Sequence, residues 1–304
     1  MGIFLAVIAM LAWGLGDFLI QKSTRRMGTI SQKLSSLFFS RNDEKYSIWI
    51  VLFYICGFGA IVLTPFVWNE IGLLGAGEIW LLFLIGLVML AAALLDFEAL
   101  KIGKISVVEP VFALEIPAVM VLTSLFLSEV LTIRQYFLIF VLVVGIIFIS
   151  IRDFGRLKRF VFERGVGLAV AATIGMGLAD FLVGFGSRAI SPLMTNWFLN
   201  IFITTVTLGY LASAGKLKVT WDYARENRKL IFNTCFFDNL AWVTYAYSMV
   251  LIPITIATAI SESYIAIGAI LGFVYNKEKL ARHQWAGLVL TMMAAIILAV
   301  RAGG

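Results

Sequence analysis

Apolar stretches of about twenty residues, recurring from one end of the chain to the other, constrain its fold more than any other feature, because each can cross a bilayer as a helix. They lie near 2–21, 47–67, 79–99, 105–127, 134–151, 165–186, 193–213, 230–250, 254–275 and 283–301. Of the 304 residues 61% are hydrophobic and only 14% charged, whereas a soluble domain is closer to half apolar and a quarter charged. One buried core cannot absorb that excess, but a bilayer can, since there the outer surface is as apolar as the interior. The expected fold is an all-α polytopic membrane protein with ten transmembrane helices. The polar stretch Ser23–Tyr46 is expected to hold a short surface helix around Leu34–Phe39. No cleavable signal peptide is expected, because the first apolar stretch lacks a basic leader. Cys56 and Cys235 fall inside apolar stretches and read as small packing residues rather than a disulfide.

Charge supplies the orientation. If the connections between spans are numbered in order, the odd ones hold all but three of the 24 Lys and Arg; the exceptions are Arg134, Arg188 and Arg301. Basic residues accumulate on the cytoplasmic side, so both termini are expected outside the cell membrane. The net charge of +6 follows from this bias and is no nucleic-acid signature, because no basic patch is interleaved with aromatics. Trp49, Trp68, Trp80, Trp197, Trp221 and Trp285 fall near span ends, as an interfacial belt does.

The chain also repeats itself. At an offset of 163, Gly14-Leu15-Gly16-Asp17-Phe18-Leu19 returns as Gly177-Leu178-Ala179-Asp180-Phe181-Leu182, and Arg25 returns as Arg188. At an offset of 149, Glu129, Leu131 and Gln135 return as Glu278, Leu280 and Gln284. The two five-helix repeats are placed at 1–152 and 163–304. Five spans is an odd number, so the second copy is expected upside down relative to the first, an arrangement that transporters use to expose a central site to either side in turn.

Ten spans as five plus five, Trp13-Gly14-Leu15-Gly16 in span one, and the Glu129 to Gln135 element opening span five resemble the EamA-type drug/metabolite transporter superfamily. The resemblance covers nearly the whole chain. It implies secondary transport of a small solute, within a range that runs from amino acids and nucleotide precursors to sugars and drugs. The long first connection and the number of acids in the spans depart from the commonest pattern and leave the substrate open.

Acids inside spans are the candidate chemistry, since they are costly in hydrocarbon and usually face a cavity or the bundle interior. Glu115, between Pro110 and Pro117, and Glu262, between Ser261 and Ser263, sit near the middle of the fourth span of each half. Proline frees a backbone carbonyl, and a broken span can line a polar cavity. The pair is expected to bind substrate or to exchange protons; the competing reading is a protonated acid bonded to a neighbouring helix. Asp17 and Asp180 repeat faithfully nearer span ends, either packing beside glycines or gating. Asp238, Trp242 and Tyr245 share a helix face at i, i+4 and i+7, which suits an organic cation or else an aromatic packing stripe. Trp13 is too deep for the belt and is expected to line the same cavity. Asp96, Glu98 and Glu109 lie near Lys101 and Lys104 and read as interfacial charges.

Gly268-x3-Gly272, Gly175-x-Gly177 and Gly184-x-Gly186 read as sites of close helix approach. His283 is the only histidine, so no metal site is expected, and no cofactor. The expected partners are the lipid bilayer, a small-molecule substrate and protons, with the chain a monomer or homodimer. Two other classes compete. A channel or receptor is compatible with a repeat. Gly14-Leu15-Gly16-Asp17 also matches the Gly-x-Gly-Asp signature of intramembrane aspartyl proteases, which would need a second aspartate beside Asp17.

Overall fold

A computed structural model of the chain describes residues 1–33, 45–102, 111–151, 166–267, 270 and 280–302. Among these residues the regular structure is helical, with no strand. In chain order the helices are α1 (Gly2–Lys33), α2 (Ser47–Val67), α3 (Ala76–Ile102), α4 (Glu115–Phe126), α5 (Ile133–Ser150), α6 (Val166–Ala189), α7 (Pro192–Ser213), α8 (Leu217–Glu226), α9 (Arg228–Leu251), α10 (Ile254–Ser261) and α11 (Arg282–Ala302), with a 3-10 turn at Ile71–Leu73. The expected surface helix at 34–39 and the Gly268-x3-Gly272 pair lie outside the described residues.

Among the described residues five helices are long and apolar enough to cross a bilayer, and six if the bent pair α7–α8 is one span. The expected ten includes further helices that are shorter or more polar over these residues. Within the described residues the fourth and ninth expected spans are interrupted at Glu115 and Glu262, and α4 and the stretch Ile254–Ile267 are shorter apolar helices. The first helix, α1, runs on past the first expected span to Lys33. The 24 residues of α9 include Asn, Thr, Asp and Tyr side chains that lower its hydropathy. Connection seven proves to contain α8, which turns 115° from α7. Its Tyr223 hydroxyl donates to the Ser23 carbonyl at 2.6 Å, and the Tyr54 hydroxyl of α2 donates to the Thr220 carbonyl at 2.8 Å.

The two halves interleave. Among the described residues α1 packs on α9 and α3 on α6, and α4 packs on α6 as α1 does on α10. The pairs α2–α7, α4–α10 and α5–α11 each join corresponding elements. Exchanging one half for the other maps this set of pairings onto itself. One apolar core gathers side chains from α1, α2, α3, α6, α7 and α9, and a second from α4, α5, α10 and α11. The outside is apolar too: Phe66, Phe137, Phe140 and Ile174 are exposed, as a lipid-facing surface requires. Trp68, Trp80 and Trp221 stand exposed at or near helix ends, whereas the Trp197 indole donates to Thr64 Oγ1 at 2.8 Å.

The repeated Gln has a structural role. Thr132 caps α5 with a capping box in which Gln135 Oε1 accepts from the Thr132 amide at 2.8 Å. Its counterpart Gln284 accepts from the Ala281 amide at 2.9 Å and donates to the Ile149 carbonyl of α5 at 2.9 Å. Helix starts leave amides unpaired, and both halves satisfy them with the same residue.

Candidate functional site

Both fourth spans break at their acid. Glu115 opens α4 after a turn at 113–114, and Pro117, third in that helix, has no amide to give to the preceding turn. Glu262 caps the C-terminus of α10 and begins the turn 262–263, where Ser263 and Ala266 bond three residues back, to Ile260 and Ser263. Both carboxyls are buried. Asp180 joins them from α6. One carboxylate oxygen from each of Glu115, Asp180 and Glu262 lies within 4.8 Å of the other two. Asp180 is thus a member of the central cluster, close to the middle of a helix that runs to Ala189 rather than near a span end.

Glycine makes this convergence possible. A Cβ on Gly177 would lie 2.8 Å from Ala118 Cβ and 3.5 Å from the Glu115 carbonyl oxygen. Only a bare backbone lets α6 come so near the first turn of α4, which sets Asp180, one helical turn on, beside Glu115. Its repeat counterpart Gly14 does the same for α1: a Cβ there would lie 2.8 Å from Ile267 Cγ2 and 3.5 Å from the Tyr264 carbonyl oxygen. The other glycines of the two expected motifs, Gly175, Gly184 and Gly186, also meet neighbouring side chains closely, at Ala92, Ile254 and Ile85.

Beside the acids lies an aromatic cluster. The Trp13 ring centroid is 5.1 Å from that of Trp242, 5.0 Å from Tyr245 and 6.2 Å from Tyr264. Tyr245 joins the two groups: its side chain hydrogen-bonds Asp180, and its hydroxyl lies 2.6 Å from Thr258 Oγ1. Thr258 also donates to the Ile254 carbonyl at 3.0 Å. The expected face of Asp238, Trp242 and Tyr245 is therefore real for the two aromatics. Asp238 is buried but stands outside the three-acid cluster, seven residues before Tyr245 or about 10 Å along the helix axis. Its neighbour Asn239 donates to the Ile55 and Cys235 carbonyls and accepts from Asn200, in space left by Gly59. The Asp17 side chain lies outside the described residues, as does Glu109.

Tyr264 and Thr258 are site residues that the sequence reading passed over. Thr258 stands four residues before Glu262 and so shares its helix face, a signal that was available. Tyr264 is marked only at an offset of 149, which aligns it with Glu115.

Chemically, three ionised carboxylates at this spacing repel one another by about 3 kcal/mol per pair at an effective dielectric near 20. A proton or a bound cation shared among them removes that repulsion. Glu115, Asp180 and Glu262 are also the described residues that could hold a metal ion together, although His283, which contacts the Ile151 carbonyl at 2.6 Å, takes no part.

The family model of EamA-like transporters matches residues 33–151 and again residues 163–300. The chain belongs to this family. It is therefore an integral, multi-pass membrane transporter of the drug/metabolite superfamily, carrying two EamA repeats. EamA-like transporters are generally not enzymes; among the described residues, the acids clustered with Asp180 are glutamates. One solved structure, described only as a crystal structure of a protein, is similar at 11% identity with a TM-score of 0.69, covering 100% of this chain and 99% of that one. At that identity it shows a shared fold alone. No curated protein sequence matches the chain.

Proposed function

We propose that this EamA-like protein is a secondary carrier with ten membrane passages, built from inverted five-helix repeats at 1–152 and 163–304. It works by alternating access in the cell membrane, with both termini outside, and moves a small amine or other amphipathic cation in exchange for protons or a coupling cation. The observation that carries this reading is the convergence of Glu115, Asp180 and Glu262 from α4, α6 and the end of α10, next to Trp13, Trp242, Tyr245 and Tyr264. An ammonium group among the carboxylates and an apolar body on the aromatic faces satisfy both groups at once.

Proton or substrate occupancy of the acids reaches the backbone through two hydroxyls. With Asp180 ionised, Tyr245 donates to it and Thr258 donates to Tyr245. With Asp180 neutral, the carboxyl donates to Tyr245, Tyr245 to Thr258, and Thr258 to the Ile254 carbonyl, the bond found at 3.0 Å. Each hydroxyl has one proton to donate, so the whole chain of bonds turns over together. Sharing three acids between substrate and proton makes their binding mutually exclusive, which is the requirement for exchange.

Purified protein in proteoliposomes tests this reading, with a panel of amines, amino acids and neutral solutes and an imposed pH gradient. Saturable flux that responds to the gradient is expected, with the proton dependence lost in Glu115→Gln and Glu262→Gln. Unchanged proton dependence in both variants would refute the coupling assignment, and fast gradient-independent conductance would replace the carrier with a channel.

A further inference from the structure

The turn after α4 is held against the second half by a group of charges that the transport site does not use. Arg188, at the end of α6, places Nη1 2.7 Å from Glu129 Oε1. The same guanidinium donates from Nε to the Met249 carbonyl at 2.7 Å and from Nη2 to the Ile252 carbonyl at 3.0 Å. Glu129 Oε1 also accepts from the Ile254 amide at 3.1 Å. One arginine thus ties together the α4–α5 turn of the first half, the end of α6 and the α9–α10 turn of the second. Ser128, just before Glu129, has a φ of 51°, a left-handed conformation that residues other than glycine rarely adopt. The chain accepts that conformation where it turns Glu129 into this junction.

Three further observations mark the contact as one that opens. Glu129 Oε2 is buried without a hydrogen-bond partner among the described residues, so the carboxylate is only half satisfied when the contact is closed. Arg188 is one of only three basic residues that the charge pattern assigns to the less basic face, so the contact lies on the side opposite the basic connections. The sequence repeat also supplies the same residue types a second time, Arg188 answering to Arg25 and Glu129 to Glu278.

We infer that Arg188 and Glu129 form a latch between the halves, closed in this structure, that must break for the face with few basic residues to open. The latch meets the transport site at Ile254. Its amide bonds Glu129, and its carbonyl ends the Asp180–Tyr245–Thr258 chain. Occupancy of the acids therefore acts on the carbonyl of the same residue whose amide the latch holds. This inference rests on the alternating-access reading, and the two are separable by experiment.

Spin labels at Val130, exposed on the α4–α5 turn, and Leu251, exposed at the end of α9, report the width of this face by pulsed electron–electron double resonance in lipid nanodiscs. The buried free cysteines Cys56 and Cys235 are replaced by Ala in all proteins. Glu129→Gln keeps an acceptor for the Ile254 amide but removes the charge. It is expected to raise the ratio of long to short distances about 5–30-fold, the range that 1–2 kcal/mol produces. Arg188→Lys keeps the charge without the planar fork and is expected to give an intermediate ratio. Raising the salt concentration should move the wild type toward the long distance, since ion pairs are screened, and leave Glu129→Gln where it is. A wild type that exchanges between two distances while both variants match it overturns the latch; so do variants that lose thermal stability without gaining the long distance. A single distance in the wild type and both variants, at every pH and salt concentration, overturns the alternating-access reading and the latch with it.

Discussion

Gly177→Ala tests the packing that assembles the acid cluster. The added methyl would lie 2.8 Å from Ala118 Cβ, whereas carbon atoms rest at about 3.5–4.0 Å. To restore contact α6 must retreat from α4 by about 1 Å. Overpacking of this kind costs about 1–3 kcal/mol, against a gain of about 0.5–1 kcal/mol from replacing glycine within a helix. A net loss of about 1–2 kcal/mol follows, and Asp180 moves away from Glu115 with the helix. Lower thermal stability in detergent and slower proton-dependent uptake in proteoliposomes are the expected readouts. Gly167→Ala is the control, because it lies on the same helix with no atom of the described residues within 4 Å of where its Cβ would go, and it should be neutral or stabilising. Ala118→Gly is the rescue: it removes the one atom in clash, leaving the Glu115 carbonyl at an ordinary 3.5 Å. The double variant should recover uptake, with a coupling energy of at least about 1 kcal/mol in the mutant cycle. Uptake in Gly177→Ala equal to that in Gly167→Ala, or loss that Ala118→Gly does not restore, refutes the assignment.

Two other perturbations address the remaining contacts. Thr258→Val deletes the hydroxyl 2.6 Å from Tyr245 at a fully buried position, so a loss of about 1–3 kcal/mol is expected; a melting temperature unchanged from the wild type would remove Thr258 from the relay. Gln284→Ala removes both the Ala281 cap and the bond to Ile149. About 1–2 kcal/mol is the expected cost, read as a lower melting temperature, and Gln284→Glu, which keeps the accepting cap but not the donor, should recover part of it.

Much of this architecture is legible in the sequence because its signals are local. Apolar length marks the membrane helices, and the offsets of 163 and 149 mark the repeat. The acids Glu115 and Glu262 stand out as carboxyls near the middle of their spans. The membership of Asp180 is not legible. It depends on α6 crossing the first turn of α4, a contact between halves decided by the close approach at Gly177. The helix breaks at 113–114 and 262–263 are only half legible: Pro117 announces the first, and no proline marks the second. The repeated Glu and Gln of the motif looked alike as sequence, yet the described copies separate them. Gln135 and Gln284 cap helices within the scaffold, whereas Glu129 reaches across to Arg188.

The repeat also shows where the two halves stop being equivalent. Gly14 and Gly177 correspond at an offset of 163, and the atoms they approach correspond at an offset of 149: Tyr264 with Glu115, and Ile267 with Ala118. The scaffold is therefore symmetric down to a carbonyl oxygen 3.5 Å from each added Cβ, but the side chains on it are not. Where the first half has Glu115 the second has Tyr264, and where the first has Trp13 the second has Met176. Glu115 and Asp180 flank the α4–α6 contact, Trp13 and Tyr264 the α1–α10 contact, and Glu262 reaches the acids from the end of α10. A symmetric pair of half-sites would hold a solute equally well in two orientations; a site with acids on one side and aromatics on the other distinguishes a charged end from an apolar end. On the exchange reading proposed above, this difference between the halves would suit an amphipathic cation better than a neutral solute.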